Sequence, residues 1–188
     1  MFGVVVADLD GDGQEDLFLS QNFFAFRNEE ARLDAGRGLW LRGDGQGNFD
    51  PVPGQLSGLK IYGEQRGAAL ADFDKDGRLD LVVAQNAAST KLYRNVGARP
   101  GLRLRLQGPA ANPDGVGAVL RLRFEDVWGP AREIHAGAGY WSQDSVTTVL
   151  GFREPPRAVQ VRWPGGRTSE VPVPEHAREL TVRCPAER

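Results

Sequence analysis

A run of nine residues rich in aspartate occurs twice in this chain, each time between two short apolar segments. The copies are Asp8-Leu-Asp10-Gly-Asp12-Gly13-Gln-Glu-Asp16 and Asp72-Phe-Asp74-Lys-Asp76-Gly77-Arg-Leu-Asp80. Four carboxylates this close together repel one another unless a cation lies among them. Because the same run returns in the same apolar context, the sequence predicts two similar units, each built as strand, acidic loop and strand.

The spacing of these aspartates is typical of a calcium-binding loop. Calcium takes about six to eight oxygen ligands in a flexible geometry, and glycine at the sixth position permits a sharp turn. Positions 1, 3, 5 and 9 offer carboxylates, and position 7 offers its main-chain carbonyl. The predicted ligands of two Ca²⁺ ions are Asp8, Asp10, Asp12, Gln14 and Asp16 in the first loop, and Asp72, Asp74, Asp76, Arg78 and Asp80 in the second.

These loops do not follow the EF-hand pattern. An EF-hand has a bidentate glutamate at position 12 and a helix on each side, whereas position 12 is Leu19 in the first copy and Val83 in the second. The alternative interpretation is an Asp- and Gly-rich turn that binds no ion. The aspartate-rich run appears twice between apolar segments, which favours calcium binding over that alternative.

The repeated pattern of strand, DxDxDGxxD and strand resembles the FG-GAP/VCBS repeat of integrin-type β-propellers. The segments Leu41-Arg42-Gly43-Asp44-Gly45 and Leu92-Tyr93-Arg94-Asn95 resemble the third strand and hairpin that follow in each blade. The glycine-rich stretch at Gly43 lacks two of the loop carboxylates, and we predict a plain hairpin there. The resemblance implies about two propeller blades with calcium loops.

Three later segments resemble the ASPIC/UnbV domain, which typically closes cartilage-acidic-protein-like chains after a propeller. They are the stretches 112–118, 137–143 and 161–167. One departure from the family pattern is Leu150-Gly151-Phe152, where the family more often has Gly-Leu-Gly. The two resemblances imply an extracellular, periplasmic or cell-surface calcium-binding protein whose ligand is undefined.

The pattern changes after a turn at Ala98-Arg99-Pro100-Gly101, which we predict to be the domain boundary. Apolar and polar residues then alternate strictly, as in 102–106, 120–124 and 159–163. This alternation indicates antiparallel strands with one solvent-exposed face. No segment shows a helical period. The predicted fold is all-β: a partial β-propeller over residues 1–97, followed by a small antiparallel β-sandwich or barrel-like domain over residues 98–188.

Charge is unevenly distributed between these halves. Residues 1–97 carry 10 Lys and Arg against 15 Asp and Glu, whereas residues 98–188 carry 13 against 10. Two bound calcium ions would bring the first half close to neutral. The chain contains one cysteine, Cys184, so it forms no internal disulfide.

The chain shows neither a membrane-spanning apolar run nor the basic start of a signal peptide. Residues 2–7 instead have the pattern of a core strand. A propeller needs about four to eight blades to close, and two acidic loops account for only part of a ring. We therefore expect further blades of the same chain, and any targeting signal, to lie upstream.

No catalytic set is recognisable. The histidines, His135 and His176, are isolated in sequence, and no nucleophile elbow surrounds Ser142 or Ser145. All-oxygen ligands select redox-inert calcium rather than a transition metal. We expect a non-enzymatic module for adhesion or ligand binding, with an extracellular protein or polysaccharide as partner.

An alternative function is polyanion binding by arginines of the second half. Arg103 and Arg105 lie on one side of their predicted strand, as do Arg121 and Arg123 on theirs. If these strands are neighbours in one sheet, the four guanidiniums share a surface that suits RNA or an acidic polysaccharide. The pI of 5.8 makes nucleic acid the less favoured of these partners, and solvated arginines on an exposed sheet are the plainer interpretation.

Overall fold

The computed structural model describes residues 3–22, 29 and 36–185, and these residues form an all-β protein, as predicted. The strands are β1 (Val4–Ala7), β2 (Asp16–Leu19), β3 (Leu39–Gly43), β4 (Phe49–Val52), β5 (Glu64–Ala71), β6 (Asp80–Asn86), β7 (Ala88–Tyr93), β8 (Leu102–Gln107), β9 (Val119–Arg123), β10 (Arg132–Glu133), β11 (Thr147–Leu150), β12 (Ala158–Arg162), β13 (Thr168–Pro172) and β14 (Glu179–Arg183). One short helix, α1 (Gly54–Ser57), follows β4. Within the described residues, no helix has the length and apolar character needed to cross a membrane.

The first half contains two antiparallel meanders, β1-β2-β3-β4 and β5-β6-β7. Neither sheet closes on itself, which agrees with a partial propeller. Each acidic run connects the first strand of its sheet to the second, so the two sheets repeat one plan. The buried side chains between them include Val5, Phe18, Leu70 and Val83. Alternation along β1 explains this packing, since Val5 is buried while Val4 and Val6 are exposed.

The second half contains two further sheets, β10-β9-β12-β13 and β11-β8-β14. Leu102, Leu104 and Leu106 on β8 are buried in the same core as Leu120 and Leu122 on β9. The period-two patterns of these strands are therefore confirmed, because their apolar faces meet between two sheets. The result is a small sandwich.

One pair of strands departs from the antiparallel pattern. The last strand, β14, runs parallel to β8, with Leu180 opposite Leu104. Alternation predicts which face is buried but carries no information about the direction of a neighbour. A parallel pair needs a long crossover, and β14 is separated from β8 by all the other strands of the sandwich.

Two local predictions have different outcomes. The glycine-rich stretch after β3 forms a hairpin to β4, in which Asp44 Oδ1 accepts hydrogen bonds from the backbone of Gln46 and Asn48. The aromatic cluster Phe23, Phe24 and Phe26, which the sequence predicts to be local core, lies outside the described residues.

Candidate metal centres

The first acidic loop, residues 8–16 (loop 1), is organised by the carboxylate of Asp8. Its Oδ1 accepts hydrogen bonds from the backbone N–H groups of Gly11 (2.8 Å) and Asp12 (3.0 Å), and its Oδ2 accepts one from Gly13 (2.8 Å). Gly13 has φ +90°, which a side chain would strain. One buried carboxylate thus coils the backbone and turns the loop inward.

The second acidic loop, residues 72–80 (loop 2), repeats this arrangement. Asp72 Oδ1 accepts from Asp76 N–H and Asp72 Oδ2 from Gly77 N–H, both at 3.0 Å. Gly77 has φ +84°, close to its counterpart in loop 1. The shared motif therefore produces the same local fold twice.

The last aspartate of each loop, Asp16 or Asp80, is buried and fastens the loop to the sheet. Asp16 accepts hydrogen bonds from the backbone of Leu9 (3.0 Å) and of Gly43 at the end of β3 (2.8 Å). Asp80 accepts from Phe73 (2.9 Å) and from Asn95 after β7 (2.8 Å). Each carboxylate accepts one hydrogen bond from its own loop and one from the end of the third strand or the residues after it. These two aspartates therefore join the loop to the third strand.

Each loop brings three carboxylates together. Oxygens of Asp8, Asp10 and Asp16 lie within 4.8 Å of one another, and so do those of Asp72, Asp74 and Asp80. Oxygens on opposite sides of a calcium ion lie about 5 Å apart, given ligand distances of about 2.3–2.6 Å. The donors are hard carboxylate oxygens, a ligand set that suits calcium better than a transition metal. The residues present therefore fit a calcium ion in each loop.

The fifth-position aspartates, predicted to be ligands, lie outside these two clusters. Asp12 Oδ1 accepts the N–H of Gln14, and Asp76 Oδ1 accepts the N–H of Arg78. Their second oxygens form ion pairs with arginines, described below. The main-chain carbonyls of Gln14 and Arg78 remain predicted ligands.

Burial raises the pKa of three carboxyls in loop 1. The pKa of Asp16 rises to about 6, because desolvation outweighs the hydrogen bonds from Gly43 and Leu9. Burial also raises the pKa of Asp8 against the opposing effect of Arg132, and the pKa of Asp10 together with repulsion from Asp12. A cation placed among these groups would reverse the shifts, since it favours the ionised forms.

Arginines from the second half of the chain contact loop 1. Arg153 Nη2 lies 2.8 Å from Asp12 Oδ2. Arg132, at the start of β10, pairs through Nε with Glu15 beside the loop, and its Nη2 lies 3.8 Å from Asp8 Oδ2. Both arginines that form ion pairs at loop 1 therefore lie more than a hundred positions away in sequence, while Arg42 on β3 also acts electrostatically on Asp10.

Loop 2 has countercharges of its own. Arg78 Nη1 lies 2.8 Å from Asp76 Oδ2, and Arg94 pairs with Asp74 and, at 3.4 Å, with Asp76. The second half adds Arg103 from β8, whose Nε lies 2.7 Å from Asp72 Oδ2 and whose Nη1 lies 2.6 Å from Glu179. Loop 2 thus has three arginines where loop 1 has two.

The loops are also tied to each other and to the second half through the backbone. The Asn95 side chain donates to the carbonyl of Leu9 (2.8 Å) and to that of Leu79 (3.1 Å), which spans both loops. Arg99 N–H donates to Asp10 O (3.0 Å). A Cβ on Gly151 would lie 1.8 Å from Asp8 Oδ2, so this close approach requires glycine.

The structure does not bring the four predicted polyanion-binding arginines onto one sheet. Arg103 and Arg105 are on β8, while Arg121 and Arg123 are on β9, and these strands belong to different sheets of the sandwich. The condition for a shared arginine surface is therefore not met. Arg103 pairs with Asp72 and Glu179, and Arg123 pairs with Glu170 (2.7 Å). Alternation placed each pair correctly on its own strand but could not reveal which strands are neighbours.

Two family models match the chain. The model for the FG-GAP-like repeat matches residues 23–83, and the model for ASPIC and UnbV matches residues 108–188. The chain combines an FG-GAP-like repeat with an ASPIC/UnbV domain. Loop 2 lies inside the matched FG-GAP-like residues. Loop 1 lies before them, and its first and last aspartates accept corresponding hydrogen bonds. No curated protein matches the chain significantly.

Several residues of these centres were not predicted from the sequence. The ASPIC/UnbV residues Arg132, Arg153 and Gly151 reach loop 1, and Asn95 joins the two loops. Two features of the sequence are consistent with these contacts but do not identify the residues that make them. The first is the opposite charge of the two halves, and the second is the departure from the family pattern at Leu150-Gly151-Phe152.

Proposed function

We propose that this protein is a calcium-braced, non-catalytic module for ligand binding or adhesion that works outside the cytoplasm or at the cell surface. The observation that supports it best is the pair of three-carboxylate clusters, Asp8/Asp10/Asp16 and Asp72/Asp74/Asp80, each in the same strand–loop–strand setting. A calcium ion in each loop would offset the repulsion among these carboxylates, of which Asp8, Asp16, Asp72 and Asp80 are buried. The FG-GAP-like repeat and the ASPIC/UnbV domain make a propeller-type binding module the natural setting for such ions.

The role assigned to calcium is structural. The loops lie between strands, and the linker and several ASPIC/UnbV residues contact them directly. Holding the loops in one shape therefore also positions the second domain against the first. Extracellular calcium modules bind with dissociation constants of about 10⁻⁴–10⁻³ M. A hundredfold excess of calcium would then stabilise the fold by about 2.7 kcal/mol.

Calorimetric titration of chelator-treated protein with CaCl₂ tests this proposal. We expect two sites per chain, a rise in Tm with calcium, and a weaker response to MgCl₂, since magnesium demands a tighter octahedron. Asp10→Asn and Asp74→Asn should each remove one site. Asp50→Asn is the matched control, because Asp50 is an exposed residue of β4 outside both loops. Absence of binding at millimolar calcium would overturn the proposal.

A further inference from the structure

A cleft lies between loop 1 and the turn that follows β9. Its volume is about 680 Å³, within the range of about 300–1,000 Å³ that is usual for small-ligand sites. One wall is the outer side of loop 1, including Asp12 and Gly13. The opposite wall comes from the ASPIC/UnbV domain, where Phe124 N–H bonds to Val127 O and Gly129 N–H bonds to Leu122 O. This tight turn folds Trp128 back beside β9.

Arg121 is the unusual charge in this cleft. Its Nε donates to Gly129 O at 3.0 Å, and its guanidinium carbon lies 5.8 Å from the centre of the Trp128 ring. These contacts fix the side chain, yet among the described residues Arg121 forms no ion pair. Its two terminal nitrogens make no hydrogen bond within the same residues. A partly buried guanidinium without a counterion is well prepared to receive an anion.

The other charged residues lining the cleft do not compete for Arg121. Asp12 pairs with Arg153 at 2.8 Å, and Arg132 pairs with Glu15. Glu154 is exposed at the rim and forms no ion pair in the described part of the chain. The lining therefore has two charges without an ion pair among the described residues, Arg121 on the inner wall and Glu154 at the exposed rim.

The surface around Arg121 is apolar and aromatic. Phe124 and Phe152 pack partly against the core of the sandwich, and Trp128 is 36% exposed. Such a wall accepts the flat, weakly polar face of a ring, while the guanidinium fixes a carboxylate attached to it. The combination suits an organic acid whose charge is carried beside a neutral ring.

We propose that this cleft binds a carboxylate-bearing sugar of an acidic polysaccharide, with Arg121 as the carboxylate receptor and Trp128 as the apolar platform. This inference rests on the proposed ligand-binding function and gives it a ligand class. In a uronic-acid saccharide the carboxylates are separated by neutral rings, which matches one unpaired guanidinium on an apolar wall. A nucleic acid needs several phosphate contacts in a row, whereas this cleft offers a single arginine without an ion pair.

Calorimetric titration with a glucuronate-containing tetrasaccharide tests the proposal, with neutral cellotetraose as the control ligand. We expect Arg121→Gln to weaken tetrasaccharide binding at least about tenfold, since hydrogen bonds to charged groups are strong. Arg123→Gln is the matched variant: the same charge is removed from the same strand, but Arg123 is paired with Glu170 and does not line the cleft. Its binding should equal that of the unmodified protein.

Trp128→Leu is a second variant at the cleft and should also weaken binding, while the melting temperature of each variant checks its fold. Equal losses for Arg121→Gln and Arg123→Gln would mean general charge attraction and would overturn the proposal. So would tighter binding of a glutamate-rich peptide or of single-stranded RNA than of the tetrasaccharide.

The calcium titration keeps the two proposals distinguishable, because Arg121→Gln should leave both calcium sites intact. Two calcium sites without tetrasaccharide binding would refute the cleft and leave the calcium role standing. Tetrasaccharide binding that depends on Arg121, in a protein that takes up no calcium, would refute the calcium role and support the cleft.

Discussion

Loop 1 and loop 2 share their main hydrogen bonds and differ in their countercharges. In both, the first aspartate binds the backbone of the fifth and sixth positions, and the last aspartate fastens the third strand. Loop 2 is neutralised mainly from its own blade by Arg78 and Arg94, with Arg103 added. The ion pairs of loop 1 come from Arg132 and Arg153 of the ASPIC/UnbV domain. A motif thus fixes local geometry, while distant residues set its electrostatics.

The largest effect is expected where the loops are alike. Asp16→Ala and Asp80→Ala each leave two backbone N–H groups without their acceptor, which should cost about 3 kcal/mol of unfolding free energy per variant at saturating calcium. Urea denaturation measures it. Asp44→Ala is the control, since Asp44 is exposed and serves only its own hairpin. A loss of stability in only one of these two variants would show that the two loops are not structurally equivalent.

The next effect is expected at loop 1 only and should therefore distinguish the two loops. Gly151→Ala places a methyl group against Asp8 Oδ2, where the Cβ would lie at 1.8 Å. Displacing this carboxylate should cost about 2 kcal/mol and weaken calcium binding at loop 1 alone. Gly97→Ala is the matched control, because no atom lies within 4 Å of its Cβ position. Calorimetry that finds both sites unchanged in Gly151→Ala would contradict this geometry.

Calcium affinity should differ between the loops. Loop 1 forms ion pairs with one arginine fewer, and Glu15 lies beside it, so its remaining negative charge is larger. We expect loop 1 to bind calcium about tenfold more tightly than loop 2, the effect of roughly one extra charge in a partly solvated site. Titrations of Asp74→Asn and Asp10→Asn measure loop 1 and loop 2 separately. Arg94→Gln should raise the calcium affinity of loop 2. An unchanged affinity would contradict an effect of the countercharges.

The remaining prediction concerns a pH dependence in the calcium-free protein. Asp16 has a pKa of about 6 in the folded protein, above the ordinary value of 3.8. The folded state therefore binds the proton more tightly than the unfolded state does. The stabilisation is fully present below about pH 4 and is lost as the pH rises through 6. Urea denaturation in chelator should give a shallower pH profile for Asp16→Asn, and an unchanged profile would refute this role.

Much of the fold followed from local patterns. The alternation of Leu102, Leu104 and Leu106 identified a half-buried strand, because side chains of successive residues point to opposite faces. The nine-residue motif identified both loops, because glycine and aspartate at fixed spacing shape the backbone directly. The hairpin after β3 followed from its glycines for the same reason.

The partners of these elements did not follow from the sequence. β14 lies parallel to β8, Arg103 reaches Asp72 instead of a shared arginine surface, and Val149 of β11 is buried with the core of the first half. Each of these contacts joins residues far apart in the chain, and no local pattern specifies such a pairing.

The sequence by itself determined that this protein is all-β, that it carries two acidic loops of one design, and that its halves have opposite charge. Only the tertiary structure decided that arginines of the ASPIC/UnbV domain complete loop 1, that Gly151 must be small, and that Arg121 stands unpaired beside Trp128. The physical reason is the separation in sequence of the residues that each interaction joins. Backbone turns and side-chain alternation are set within a few residues, whereas charge pairing and cleft formation depend on which distant surfaces pack together.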